Sequence, residues 1–371
     1  VARETLTRGQ LGRATLARQM LLEREDVPVV EAVERLAGMQ AQEPKPPFLG
    51  LWSRVEGFRA EHLIEALNAR ELVRATLMRA TLHLMSARDY AAVRASLQPG
   101  LTAAMTGALR GRDDGLDLDE VLPAARKLLE QRPREFNELR ALLQEELPAV
   151  NDRALGYAVR TNLPLVMVPT GDRWGFGRST EITLADGWLE QPLSADRSPQ
   201  ELVRRHLAAF GPASAADVQT WAGLTGLKDV LAAMRDELAV FTEEGGGRRE
   251  LFDLHDAPRP AEDVPAPPRF LPEFDNLVLA HADRSRLLAD EHRGRITTKN
   301  LRVRATFLWD GMVRGTWSAE RKRGAAKLVV APFEQLPRGA REGLREEGEA
   351  LLRFVEPDAD SFAVEFEAGR L

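Results

Sequence analysis

The sequence predicts an α+β fold, and three observations carry that expectation. A pattern of three short amphipathic helices closed by an alternating β-hairpin occurs three times in succession. A segment rich in Pro, Ala and acid, Ala257–Arg269, then interrupts the pattern as a linker. Beyond it the chain changes to short alternating runs of strand character. Three small helices followed by a hairpin is the winged-helix order, a variant of helix-turn-helix. The expected architecture is therefore tandem winged-helix repeats with a C-terminal β-rich, barrel-like domain.

The first unit (1–105) opens with a helix over Thr7–Arg24, with Thr7 as N-cap, and a second over Val29–Gly38. A proline-bearing link and short helices around Phe48–Val55 and Ala60–Ala69 follow. Val73–Ser86 alternates and predicts a strand or hairpin, with Arg79, Thr81 and His83 on its polar side. A helix over Ala87–Leu101 closes the unit. The second unit (115–192) predicts helices at Leu118–Gln131, Glu135–Glu146 and Asp152–Asn162, then a hairpin turning at Thr170-Gly171-Asp172. The third (197–256) predicts helices at Pro199–Phe210, Ser214–Leu224 and Leu227–Glu237, with a hairpin tip at Gly245–Gly247. After the linker (257–269), the domain at 270–371 offers strands at Asn276–His281, Arg302–Leu308, Met312–Trp317 and Lys327–Pro332. Asp310-Gly311 marks a tight hairpin turn. A helix over Arg338–Glu349 and a strand over Ala350–Val355 complete the expectation.

The bulk numbers fit this picture. The chain has 371 residues, 44% hydrophobic and 29% charged, as in globular proteins. It has no cysteine, which excludes disulfides, thiolate metal sites and cysteine nucleophiles. The histidines are scattered without ligand spacing, no Gly-rich phosphate loop is present, and neither metal nor cofactor is expected. No apolar run reaches membrane-spanning length and no signal-like core precedes the first helix, so the expected location is cytoplasmic. The net charge is −6, yet ten Lys/Arg stand between Arg293 and Lys327 against two acids, Asp310 and Glu320. Such asymmetry suits a face made for an anionic polymer, as it suits a solvated basic surface.

The segment Gly38–Val55, GMQAQEPKPPFLGLWSRV, holds the most chemistry. Residues two apart share a face only in extended chain, and Glu43 before Pro44 is pushed toward extended geometry. Pro46 and Pro47 are expected to keep the chain from returning to helix. Gln40 and Gln42 then project together, and paired amides can donate to and accept from one water. The same segment is also readable as a helix-ending turn with solvated glutamines.

Four stretches together resemble the AlkZ-like, or YcaQ-like, winged-helix DNA glycosylases: MQAQEPKPPFLGLWSR, RATLMRATLHLMSARDY, HLAAFGPASAADVQTWAGL and LPEFDNLVLAHADRSRLL. The resemblance covers nearly the whole chain. It implies tandem winged helices and a β-barrel arranged around DNA. It also implies a catalytic signature of glutamine, an apolar residue, then glutamine or aspartate. Gln40-Ala41-Gln42 matches the two-glutamine form, associated with the AlkZ-like branch. The implied activity is a monofunctional DNA glycosylase excising N-alkylated purines from double-stranded DNA. Some members unhook interstrand crosslinks, and some serve self-resistance in producers of DNA-alkylating compounds.

On that resemblance Gln40 and Gln42 are the catalytic pair, positioning water and stabilising a cationic sugar. Lys45, Arg79, Thr81, His83, Arg284 and Arg286 are candidate contacts to double-stranded DNA carrying alkylated purines, no membrane partner is expected, and the enzyme is expected to act as a monomer. Glu43 competes as a general base and Lys45 as a Schiff-base nucleophile, each with a plainer surface role. A non-enzymatic winged-helix regulator and an inert scaffold are the alternatives.

Overall fold

A computed structural model describes residues 4–246, 249–300 and 302–367. The first unit contains β1 (Glu4–Leu6), α1 (Arg8–Arg18), α2 (Val29–Arg35), β2 (Met39–Gln40), α3 (Pro46–Trp52) and α4 (Ala60–Asn68). β3 (Leu72–Thr76), β4 (Leu82–Ser86), α5 (Ala87–Val93) and α6 (Gln98–Leu109) follow. Thr7 caps α1 in a reciprocal capping box with Gln10. Pro46 and Pro47 do not hold the chain out of helix, as expected, but open α3. At the first helical positions a missing N–H costs nothing and the fixed φ is already helical. β2, β3 and β4 form one sheet in the order β2-β4-β3.

The second unit contains α7 (Leu118–Gln131), β5 (Arg134–Glu135), α8 (Phe136–Glu146), α9 (Asp152–Asn162), β6 (Leu165–Met167), β7 (Glu181–Leu184) and α10 (Ala185–Trp188). Its sheet runs β5-β7-β6. The turn at Thr170–Asp172 forms, with Thr170 Oγ1 donating to Asp172 Oδ2 at 2.7 Å. The returning strand lies farther on than expected, at β7, so the expected hairpin becomes a long loop.

The third unit contains α11 (Gln200–Phe210), α12 (Ala215–Ala222), α13 (Leu227–Ala233), β8 (Ala239–Glu243) and β9 (Glu250–Asp253). Ser214 and Asp217 cap α12 reciprocally. A bridge from Ala213 to Phe252 supplies the short strand that β2 and β5 supply elsewhere. β1 adds to the free edge of β8 in parallel. Helix, short strand, two helices and an antiparallel strand pair thus recur in all three units. Gly245 turns the third hairpin with φ +71°, whereas Gly247 of the expected tip lies outside the described residues.

The C-terminal part contains β10 (Arg269–Leu271), β11 (Thr306–Trp309), β12 (Met312–Lys322), β13 (Ala325–Pro332), α14 (Ala340–Val355) and β14 (Ser361–Phe366). These strands lie in the order β10-β11-β12-β13-β14, with β10 and β14 at opposite edges. The sheet is open, which corrects the barrel expectation. α14 covers it instead, burying Leu344, Leu351 and Leu352 against Phe270, Phe307 and Leu328. Asp310 and Gly311 turn the β11–β12 hairpin with positive φ at both positions, as that dipeptide favours. Two strand expectations fail. Asn276–Val278 is a 3-10 turn capped by Asp275, and Ala350–Val355 continues α14 because Leu351, Leu352 and Val355 complete its apolar stripe.

The second unit's core, around Val121, Leu139, Leu155 and Val159, also takes in Met105 and Leu109 of α6. The first and third share one: Leu77, Met78, Tyr90 and Leu97 pack with Phe210, Trp221 and Leu231. Among the described residues no helix is long and apolar enough to cross a membrane.

Candidate functional site

β2 pairs antiparallel with β4, placing Gln40 opposite His83. Met39 and Ala41 are buried in the core of the first unit. Gln40 therefore points the other way, whereas Gln42 lies in the bend just beyond β2. The backbone between them is fixed from β3 by Arg74. Its Nε donates to Ala41 O at 2.8 Å and its Nη2 to Gln42 O at 3.1 Å. The same guanidinium lies over the Phe176 ring at 4.9 Å. Burial lowers its pKa to about 10, so it stays cationic at neutral pH.

Just upstream, Asn276 Nδ2 donates to Gly38 O at 3.1 Å. Gly38 has φ +82°, and a Cβ there would stand 3.0 Å from Leu84 O, so glycine is required where the chain enters β2. Downstream, α3 is anchored by Arg54, which grips Asp275 with Nη1–Oδ2 at 3.0 Å and Nη2–Oδ1 at 2.9 Å. Both partners are buried, and the paired geometry satisfies the charges that burial would otherwise penalise.

Gln40 is buried and held. Arg79 Nη2 donates to its Oε1 at 2.8 Å. A guanidinium only donates, so the amide oxygen must face Arg79 and the NH2 group must point away. Arg79 also donates to Trp221 O, joining the first unit to the third. Gln42 is exposed, and its Oε1 accepts from Leu82 N at a long 3.4 Å. It is the looser of the two amides. Two clefts flank the segment. One, of about 220 Å³, is lined by Gln42, Thr76, Leu82 and residues of the second unit. The other, of about 450 Å³, is lined by Glu43, Lys45, Arg302 and Trp317.

A family model described as DNA glycosylase AlkZ-like matches residues 33–354. The chain belongs to the AlkZ-like DNA glycosylase family. Among solved structures, Streptomyces sahachiroi DNA glycosylase AlkZ is similar with a TM-score of 0.80 over 98% of this chain and 100% of that one, at 21% identity. At that identity the likeness concerns the fold. No curated protein matches the chain at a significant level.

Within this AlkZ-like chain the other expected site residues fall in unlike places. Arg79 is not on a strand face but in the turn between β3 and β4, with φ +55°, and its guanidinium reaches inward. Its pKa is lowered to about 10 by burial and then by Arg284. His83 is fully buried rather than on an exposed polar side. Its Nδ1 donates to Thr81 O at 3.0 Å, leaving the Nε2 lone pair toward Arg79 Nη2 at 3.4 Å. Burial, reinforced by the Arg79 charge, lowers its pKa to about 3, so the ring is neutral. Thr81 is half-buried, with its hydroxyl donated to Met78 O.

Lys45 is half-buried before α3, with Nζ 5.7 Å from the Trp174 ring centroid, and burial lowers its pKa. Glu43 is exposed and 3.5 Å from Arg302. Arg284 is half-buried, its Nε enclosed without a partner. Arg286, expected at the surface, is enclosed and donates to Pro212 O at 2.8 Å. Elsewhere Glu291, His292 and Glu334 bring one potential metal-ligand atom each within 4.8 Å of one another, a cluster that chain spacing does not reveal. Arg74 and Asn276 were missed as supports of the glutamine segment. An arginine inside the apolar run LVRAT is the one signal that pointed to a buried cation.

Proposed function

We propose that this AlkZ-like protein hydrolyses the N-glycosidic bond of alkylated purines, N7-alkylguanine or N3-alkyladenine, in double-stranded DNA. The observation that supports it best is two carboxamides two residues apart, Gln40 fixed by Arg79 and Gln42 loose beside an open cleft. Alkylation leaves the purine cationic, so it departs as a neutral base without a strong acid. What remains is to hold water against the anomeric carbon and to stabilise positive charge on the sugar. The water oxygen bonds to the anomeric carbon, the electrons of the broken C–N bond neutralise the purine, and the water proton passes to solvent.

Gln42 Oε1 accepts from the attacking water and offers partial negative charge to the sugar. Gln40, its oxygen occupied, orients that water or its neighbour through the NH2 group. Positioning supplies most of the acceleration, since an amide is a poor base. The three repeated units act as winged helices on the duplex, with Arg284 and Lys45 on phosphates. A glutamine outside any sealed pocket also suits a crosslinked base, which cannot be extruded freely.

The test is a duplex carrying one N7-methylguanine. Alkali-dependent strand breaks that vanish in Gln42→Ala, with binding retained, support the reading. Binding with no base release from any alkylated duplex indicates the regulator instead. Borohydride trapping of a protein–DNA adduct through Lys45 would replace the monofunctional scheme with a lyase.

A further inference from the structure

Glu291, His292 and Glu334 have no role in the chemistry above, yet their ligand atoms converge within 4.8 Å of one another. Glu291 and His292 lie on the 3-10 turn Asp290–Arg295, and Glu334 follows β13. Two stretches distant in the chain therefore meet at this point.

The imidazole is held in place. His292 is only 8% exposed, and its ring centroid lies 4.7 Å from that of Phe333. Its backbone N donates to Ala289 O at 3.0 Å within the turn. Phe333, next to Glu334, is fixed on both sides. Its N donates to Arg314 O at 2.8 Å, and its O accepts from Arg295 Nη1 at 2.9 Å. A buried ring nitrogen and a carboxylate thus face each other from anchored backbone, with His292 Nε2 at 3.3 Å from Glu334 Oε1.

The separations and the charges fit a metal ion. Two ligands on a tetrahedral zinc with bonds of about 2.0–2.1 Å stand about 3.3–3.4 Å apart. The Nε2–Oε1 distance already has that value. Neither Glu291 nor Glu334 has a Lys or Arg partner among the described residues, so a divalent ion would neutralise both carboxylates. Both are exposed, which gives the ion an entry path and leaves room for water. An imidazole nitrogen among carboxylate oxygens favours a first-row transition ion over Mg²⁺ or Ca²⁺, which take oxygen ligands.

We propose that Glu291, His292 and Glu334 bind one zinc ion, with water in the fourth position. The ion staples the turn Asp290–Arg295 to the end of β13. That turn carries Arg293 and Arg295 of the basic stretch, so the ion fixes where they stand. The proposal is independent of the glycosylase reading.

The full chain, stripped with EDTA, is dialysed against Zn²⁺ in excess Mg²⁺. One zinc per chain is expected by elemental analysis, with a melting temperature above that of the stripped chain. Co²⁺ in its place is expected to absorb strongly in the visible, as four-coordinate ions do. Removing a direct ligand should cost at least the tenfold in affinity that loss of a ligand's hydrogen-bond partner costs, about 10–100-fold. Glu291→Ala and Glu334→Ala, at exposed positions that folding tolerates, should each weaken zinc binding by about that much and bleach the cobalt absorption. His292→Ala should do the same, and His255→Ala, an exposed histidine outside the cluster, should do neither. Failure of the wild type to take up one zinc overturns the proposal. So does equal zinc affinity in the wild type and the Glu334→Ala variant, or loss of zinc in His255→Ala.

Discussion

Arg79 donates to Gln40 Oε1 at 2.8 Å from a turn in which its own φ is +55°. The same side chain reaches Trp221 O, so one guanidinium ties the glutamine segment to the third repeat. Gln40 is therefore part of an interior network as well as a candidate catalyst, and Gln42 is not.

That difference predicts unequal costs. Gln40→Ala leaves a buried guanidinium N–H unpaired and should destabilise the fold by about 1–3 kcal/mol. Gln42→Ala removes one long bond at an exposed site and should stay within about 0.5 kcal/mol of wild type. Both should abolish base release. Urea unfolding of the two variants checks the split, and equal destabilisation would contradict it.

Gly223 should tolerate no side chain. Its φ is +72°, and a Cβ would stand 2.9 Å from both N and Cα of Arg79. Gly223→Ala should cost at least about 2 kcal/mol by left-handed strain and overpacking. A thermal melt that shifts less than a degree or two would show that the turn after α12 does not press on Arg79.

The buried histidines set an acid limit. His83 is lowered to about 3 and His206 to about 4, both chiefly by burial. Unfolded histidines bind protons near pH 6.5, so below that pH the unfolded chain takes up protons that the folded chain refuses. Stability should be flat above about pH 7 and fall as pH drops from about 6.5 toward 3–4. His83→Asn, which keeps a donor for Thr81 O, should flatten part of that fall in urea titrations at several pH values. A steeper fall in the variant would contradict a neutral His83.

Arg284 and Arg286, two residues apart, should separate binding from folding. Arg284→Ala should weaken binding to any duplex and reduce the slope of log affinity against log salt by about 1. Arg286→Met should leave that slope unchanged in the folded fraction but cost about 1–3 kcal/mol, because Pro212 O loses its donor. Fluorescence anisotropy over a salt series, beside unfolding curves, distinguishes the two.

Local patterning made part of this legible. Met39-Gln40-Ala41 announces a buried apolar pair flanking a glutamine because apolar and polar residues alternate, and Thr7 and Ser214 announce their helix starts. Features set by distant parts of the chain were not legible. Arg79 leaves its expected strand face because the third repeat supplies Trp221 O, and Arg286 is enclosed by Pro212, far away in sequence. The expected barrel is an open sheet because β10 and β14 end at opposite edges with α14 over the face. Arg74 was passed over because alternation places a side chain on a side but does not say what lies there.

The core shared by Leu77 and Met78 with Phe210 and Trp221 has a consequence for how the chain is made. On the ribosome, the first repeat emerges well before the residues that cover it, and β1 waits for β8, more than two hundred positions later. The second repeat packs its apolar residues with Met105 and Leu109 of α6, which are made just before it, and so has what it needs to fold as it appears. Nascent protein should therefore gain protection from protease in the middle first, and at its beginning only when residue 253 has left the exit tunnel.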